Sequence, residues 1–518
     1  LFQQKIKNIL RAFTAGEPEE AYRWVFWLWS LVLLLVGALV WGAILDWGRV
    51  SFNYHDWARI TAPRLAFIKN ALTQGVFPFL INDPSTLGGV TDRFFTIPDV
   101  PFSPQYLLLR WMDLKAFVLF DLLLFYAIGM VGLAVICRKK HLSALTLSFL
   151  VVLFNFNGHL LAHFSVGHFT WTAFFLYPWL ILLITDLLDQ RVNWSWPLRT
   201  ALLLVIMLFQ GGYHQFIYSL FLLGLMVLVT PRYFWTLAKT ALFAVLIGMV
   251  RLLPPVLNLG KFDNVYIAGY PFIQSIWDRL VQIDLPFDLT YNYQLTGTIG
   301  VWEYTLYVGL VAAVGLVGFG LVQAYRNRGK EGNYVALLLP AACLMVLSLD
   351  RIYKYVRLIL PLPIFTGERA PSRMISVAFL LVLFLAAIEF QRWLDARQVS
   401  FPRLFAAGLA LVAIFHDIWQ NIRIWAVSAA GQRFQQGDFV SFNAATWVPV
   451  NHPDPTYWTI FGVGAGITIL ALGGLIYLSW RDRPRRMAKQ VSGKTTVTMR
   501  KPATGHLISG TSRMTNGL

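Results

Sequence analysis

Long apolar stretches divide this chain, and their length leaves few folds open. Trp24 to Leu45 contains no charged residue. Comparable stretches follow at 116–137, 142–158, 169–188, 199–214, 215–231, 237–254, 303–325, 333–349, 374–391, 403–424 and 457–480. Each is near the ~20 residues that a helix needs to cross a hydrocarbon core, with 142–158, 199–214 and 215–231 on the short side. Backbone in lipid must satisfy its own hydrogen bonds, so such stretches cross as helices. Only 13% of residues are charged and 57% are hydrophobic, whereas a soluble domain carries about a quarter charged residues. The expected fold is an all-α polytopic membrane protein of about 12 transmembrane helices, with short interfacial helices in the first outer loop.

The net charge of +17 does not call for nucleic acid, because membrane proteins collect Lys and Arg in cytoplasmic loops. A cytoplasmic N-terminus puts RKK (138–140), Arg191, Arg199, Arg232, Lys239, RNRGK (326–330), Arg392 to Arg403 and the RDRPRR tail inside. Both termini then face the cytoplasm of a plasma (inner) membrane. The first apolar run is long enough to span, so it reads as a helix and not as a cleavable leader. Cys137 and Cys343 both lie in apolar runs, which gives no disulfide framework. Residues 1–23 form an amphipathic surface segment with Ile6, Ile9, Leu10 and Phe13 on one face. The transmembrane domain covers 24–480, and 481–518 is a basic, Thr/Ser/Gly-rich tail expected to be disordered.

Outer segments are then 46–115, a short 159–168 turn, 255–302, 350–373 and 425–456. The first is the place where chemistry can sit in water. It mixes acids (Asp56, Asp83, Asp92, Asp99), bases (Arg59, Arg64, Lys69, Arg93) and many prolines and glycines. His55-Asp56 opens it; Gly75-x-Phe-Pro-Phe and the Asn-Asp-Pro-x-x-x-Gly-Gly run ending at Gly89 follow; Pro101 to Leu109 returns to the membrane. Further on come Gly167-His168-x-x-Trp171, Tyr177-Pro178-Trp179, Gln210-Gly-Gly-Tyr-His214-Gln215, Glu303 with Tyr307-Val-Gly309, and Arg369-Ala-Pro371-Ser-Arg373. In this order, over roughly 24–390, these stations resemble the GT-C superfamily of polyprenyl-phosphate-sugar-dependent membrane glycosyltransferases, particularly its YfhO-like members.

The resemblance implies an inverting transferase acting on a polyprenyl-phosphate-linked sugar at the outer face, with an envelope glycan, lipid or protein as acceptor. It implies that an acid of the first outer loop is the base, which falls on Asp56, with Asp46 as second choice. A carboxylate within hydrogen-bond reach of a hydroxyl can take its proton as the anomeric carbon is attacked. Asp56 is equally suited to capping the helix that begins at Trp57. The departing phosphate needs fixed positive charge, and Arg59, Arg64, Arg93, Arg369 and Arg373 are the candidates. Arg369 and Arg373, four apart, would share a helix face, and a guanidinium fork meets phosphate oxygens in pairs. His55, His163, His168, His214 and Glu303 are candidates for acceptor or sugar binding. His159 and His163 share a helical face and are placed at the outer interface. No CxxCH accompanies them, and no cofactor is expected, although a divalent metal on Asp56 with Glu303 or Asp92 stays open. Two other readings stand beside the transferase: a lipid flippase or transporter, which would want ionisable groups at mid-membrane, and a non-catalytic scaffold with protein partners in a photosynthetic or respiratory complex. Nucleic acid is not an expected partner; membrane lipids are.

Overall fold

The computed structural model describes residues 2–49, 52–81, 93–193, 195–258, 267–286, 300–330, 332, 334–396, 401–435 and 448–495, those after Arg481 by backbone alone. Residues 82–92, which hold the Asn-Asp-Pro-x-x-x-Gly-Gly motif with Asp83 and Asp92, lie outside these, as do 287–299, 436–447 and 496–518. The described chain is helical, with isolated β-bridges that include Ile81 with Pro449 and Tyr270 with Leu349.

Among the described residues, seven helices are long and apolar enough to cross a membrane: Glu20–Ile44, Leu114–Lys139, Ala144–Ser165, Phe169–Leu188, Pro371–Asp395, Phe401–Trp425 and Pro455–Arg481. An eighth candidate, Pro231–Ile247 with Met249–Asn258, is bent by 57°. Four further apolar helices, Trp196–Phe209, Tyr213–Val229, Leu310–Arg326 and Val335–Leu347, fall short of a full span by length. The protein is therefore a multi-pass helical membrane protein. The last helix continues past Arg481, the expected start of the tail, as far as Thr495.

Burial sorts these helices into a centre and a rim. Ala144–Ser165, Phe169–Leu188 and Pro371–Asp395 are each 89% buried in their apolar window, against 28%, 17% and 22% for Glu20–Ile44, Phe401–Trp425 and Pro455–Arg481. On the rim helices Trp24, Trp27, Leu28, Leu31, Leu35 and Leu39 face outward, as do Phe401, Phe405, Leu409 and Val412. A stripe of that size is untenable in water and natural against lipid tails.

Local chemistry sets the helix ends. Asp113 caps the Leu114–Lys139 helix by accepting the Lys115 N–H at 3.0 Å, while Arg138 and Lys139 complement the dipole in its last turn. Ser143 caps Ala144–Asn155. The turn expected over 159–168 is shorter than its sequence suggests. After a break at Phe156, Asn157 Oδ1 accepts the Leu160 N–H at 3.0 Å and restarts the helix as Gly158–Ser165. His159 and His163 are thereby wholly buried inside the bundle.

Ion pairs mark the two ends of the bundle. At one end Lys140 pairs with Asp189 at 2.5 Å, and Asn327 and Arg392 meet Glu389. The opposite end carries the first loop, folded as a π turn over Trp57–Thr61, the Ala62–Gln74 helix and short 3-10 turns at Phe94–Thr96 and Pro104–Arg110. Arg251, buried in the bent segment, pins that loop by donating to the carbonyls of Val100 at 2.9 Å, Phe95 at 2.6 Å and Ile97.

Candidate active site

The first loop is stitched to the turn after Ser165 by three side chains that sequence spacing alone does not connect. The Tyr54 hydroxyl donates to Ser165 O at 2.7 Å, the Trp57 indole N–H to the same oxygen at 3.1 Å, and the Thr61 hydroxyl to Gly167 O at 2.6 Å. Each is worth about 1 kcal/mol net, and together they fix the register between Asp56 and His168. Gly167 makes the approach possible. Its φ is +96°, and a Cβ there would lie 2.3 Å from the Trp57 backbone nitrogen. Gly167→Ala is therefore expected to lose about 1–3 kcal/mol to backbone strain, more if the π turn must move, read as a lowered unfolding midpoint in detergent.

Asp56 stands at the N-cap position of the π turn but makes no capping hydrogen bond. Its Oδ2 instead lies 2.8 Å from His168 Nε2, and His168 Nδ1 lies 2.6 Å from His163 Nδ1. The chain Asp56–His168–His163 therefore replaces the capping alternative. One ring nitrogen of the Nδ1–Nδ1 pair donates and the other accepts, and the nitrogen of His163 that faces away from the pair is its Nε2. That Nε2 is buried without a hydrogen-bond partner. His163 stacks on Trp171 at 3.9 Å between centroids and 8° between planes.

A second arm meets the first here. Arg373 grips Glu303 with its fork, Nε to Oε2 and Nη2 to Oε1, both 2.6 Å, and its guanidinium lies 5.9 Å from the Trp171 ring. Glu368 accepts from Tyr218 at 2.9 Å and from the Ala370 N–H at 2.7 Å, and meets His214 Nδ1 at 2.8 Å. Arg64 reaches Asp99 at 3.0 Å. Burial pushes all four carboxyls up, and their partners more than offset it. Asp56 stays below the usual range through its bond to His168 and the charges of His55, His168 and Arg64. Asp99 is held at about 2 by Arg64, Glu303 at about 2 by Arg373, and Glu368 at about 2 by His214. The cluster is thus a nest of ionised carboxylates, with the Asp56 side chain still 19% exposed.

The expected residues divide accordingly. Asp56, His163, His168, Glu303 and Arg373 come together, with His55 beside Asp56 at 3.6 Å. His55 Nδ1 also meets Val166 O at 3.3 Å, and its ring sits against Trp302. His214 belongs to the Glu368 arm. Arg64 and Arg93 are each on a carboxylate, Asp99 and Asp454, the latter at 2.9 Å. Arg59 and Arg369 are exposed. The shared helix face expected of Arg369 and Arg373 does not form, because Ala370 is not helical (φ −123°, ψ 63°) and the 3-10 turn begins only at Pro371. Asp46 ends the first spanning helix in a tight turn at φ 47°, and its carboxylate makes no hydrogen bond or ion pair among the described residues.

Sequence reasoning passed over Glu368, Asp99 as a partner of Arg64, and the wholly buried Asp121. Asp121 accepts from Gln105 at 2.8 Å and Gln210 at 2.7 Å and ties the Pro104–Arg110 turn to the bundle. A lone acid in an apolar run was its available signal. Comparison with protein-family models, curated proteins and solved structures gives no match.

Proposed function

We propose that this chain is a membrane glycosyltransferase of GT-C type. It moves a sugar from a polyprenyl-phosphate donor to an envelope glycan, lipid or protein at the outer face of the membrane. The observation that carries the reading is Asp56: an ionised, partly accessible carboxylate backed by two histidines at the end of the bundle where the first loop folds. In an inverting displacement the acceptor hydroxyl gives its proton to that carboxylate. Its oxygen bonds to the anomeric carbon, and the bond from that carbon to the phosphate oxygen breaks with its electron pair on the leaving lipid phosphate. His168, hydrogen-bonded to the second face of the couple, stabilises the carboxylate before transfer and orients it. Asp46 has no such orienting group among the described residues. Arg373 lies beside Asp56's neighbours and would meet a phosphate oxygen by giving up part of its fork's hold on Glu303; Arg59 and Arg369 are candidates for first capture of the anion.

The same reading has twelve crossings, the four short helices completing the count, with both termini cytoplasmic in a plasma (inner) membrane. It is supported by the contacts at the Lys140–Asp189 and Glu389 end, which gather the most basic loops. Single cysteines placed at the exposed Gln74 and Lys330, in a background lacking Cys343, are expected to react with an impermeant thiol reagent from opposite sides. Reaction of both from one side would overturn the topology. The activity itself is tested by transfer of a labelled sugar from polyprenyl-phosphate donors to membrane acceptors by the purified chain. Absence of transfer across the donor sugars, together with constant-ratio purification with other subunits, would replace the enzyme by a scaffold.

A further inference from the structure

We propose that His163, His168 and Glu303 form a binding site for a divalent transition-metal cation of the zinc class, with Asp56 as the outer partner of His168. One ligand atom from each of the three lies within 4.8 Å of the other two. The donor set is two imidazole nitrogens and a carboxylate oxygen, which suits zinc-like ions and not magnesium or calcium, whose sites are built from oxygen.

Two further observations converge on it. First, the two Nδ1 atoms of His163 and His168 point at each other across 2.6 Å. Without a cation they need a proton between them; tetrahedral zinc with bonds of about 2.0–2.1 Å would spread them to about 3.3 Å. The change is smaller than an ångström and releases that proton. Second, Asp56 takes the N–H on the far side of the His168 ring at 2.8 Å. A carboxylate in that place fixes the tautomer and makes the facing nitrogen the ligand, as is usual behind metal-binding histidines.

Arg373 does not exclude the cation. A carboxylate offers about four acceptor positions, and the Arg373 fork uses one on each Glu303 oxygen. Three protein ligands leave a fourth position open, the pattern of a catalytic site and not of a closed structural one. The inference stands apart from the transferase reading, because cation binding is measured without turnover.

The test uses the full chain in detergent, stripped by chelator and titrated with Zn²⁺ alone or Co²⁺ alone. One equivalent is expected to bind, and X-ray absorption of the Zn²⁺-loaded parent is expected to show two imidazole nitrogens with oxygen. His168→Ala and Glu303→Gln are each expected to weaken binding by at least ~100-fold, and Asp56→Asn by about 10–100-fold, the usual cost of losing the group behind a metal-bound histidine. His416→Ala, on the exposed face of the Phe401–Trp425 helix, leaves it unchanged. Absorption without imidazole scattering, or a stoichiometric site that survives in a folded His168→Ala protein at full affinity, overturns the proposal. So does failure of the folded parent to bind either ion. The absorption experiment needs no substitution and decides the matter even where a variant fails to fold.

Discussion

Asp56→Asn is expected to lower sugar transfer by ~100–10,000-fold, the cost of removing a general base, and to leave the unfolding midpoint close to that of the parent. The two halves of that expectation have separate structural grounds. Asp56 makes no capping bond, so its replacement removes no helix-end interaction. An Asn carbonyl can still accept the His168 N–H, so the Asp56–His168–His163 order survives in shape. What is lost is the ability to hold an acceptor's proton. Asp56→Ala removes the His168 partner as well and should cost a further ~1 kcal/mol or more of stability. Asp46→Asn, which disturbs no described contact, should transfer at the parent rate. Measuring transfer at saturating Zn²⁺ separates base loss from weakened cation binding, since added ion restores the second and not the first. Full transfer by Asp56→Asn would remove it as the base; loss confined to Asp46→Asn would move the role to the end of the first spanning helix.

Much of the architecture was legible because lipid imposes a simple rule on length. Each apolar stretch of the sequence contains a helix or a bent pair, and the amphipathic N-terminal segment is the Phe2–Thr14 helix. Of the three stretches read as short spans, 142–158 belongs to the full-length Ala144–Ser165 helix, whereas Trp196–Phe209 and Tyr213–Val229 fall short of a span by length. The site was legible in its members more than in its pairings. Asp56, His163, His168, Glu303 and Arg373 were named from their types and order, but nothing in a linear sequence tells that residue 56 meets residue 168. That contact depends on Gly167 admitting the Trp57 backbone and on three hydrogen bonds across more than a hundred residues. Arginines were read as phosphate ligands because each was considered alone. In the fold Arg64, Arg93 and Arg373 have carboxylate partners contributed by distant segments, so charge in this cluster is balanced locally before any ligand enters. Glu368 was passed over because it sits between Gly367 and Arg369 in a stretch that reads as a surface loop; only the packing of Tyr218 and His214 takes it inside.

Arg373→Ala is expected to be the most damaging single change to stability, about 3–5 kcal/mol, the range for removing one partner of a buried ion pair. The Glu303 and Arg373 side chains are 8% and 13% exposed, and the loss leaves a buried carboxylate without the fork that holds it ionised. Trp171 loses its cation as well, and with it part of the wall on which His163 is stacked. Arg373→Lys keeps the charge but not the paired geometry, so it should fall between parent and Ala. Replacing both partners, Arg373→Met with Glu303→Leu, should recover most of the stability, because an apolar pair of similar volume avoids the desolvation that the ions must overcome. The double variant should nevertheless neither bind Zn²⁺ nor transfer sugar. Unfolding midpoints of the parent and the three variants in one detergent, each checked for monodispersity, give the comparison. An Arg373→Ala protein as stable as the parent would mean that solvent reaches Glu303 and that the pair is a surface contact. A double variant that stays as unstable as the single one would mean that Arg373 acts through Trp171 and the histidines, and not through its carboxylate.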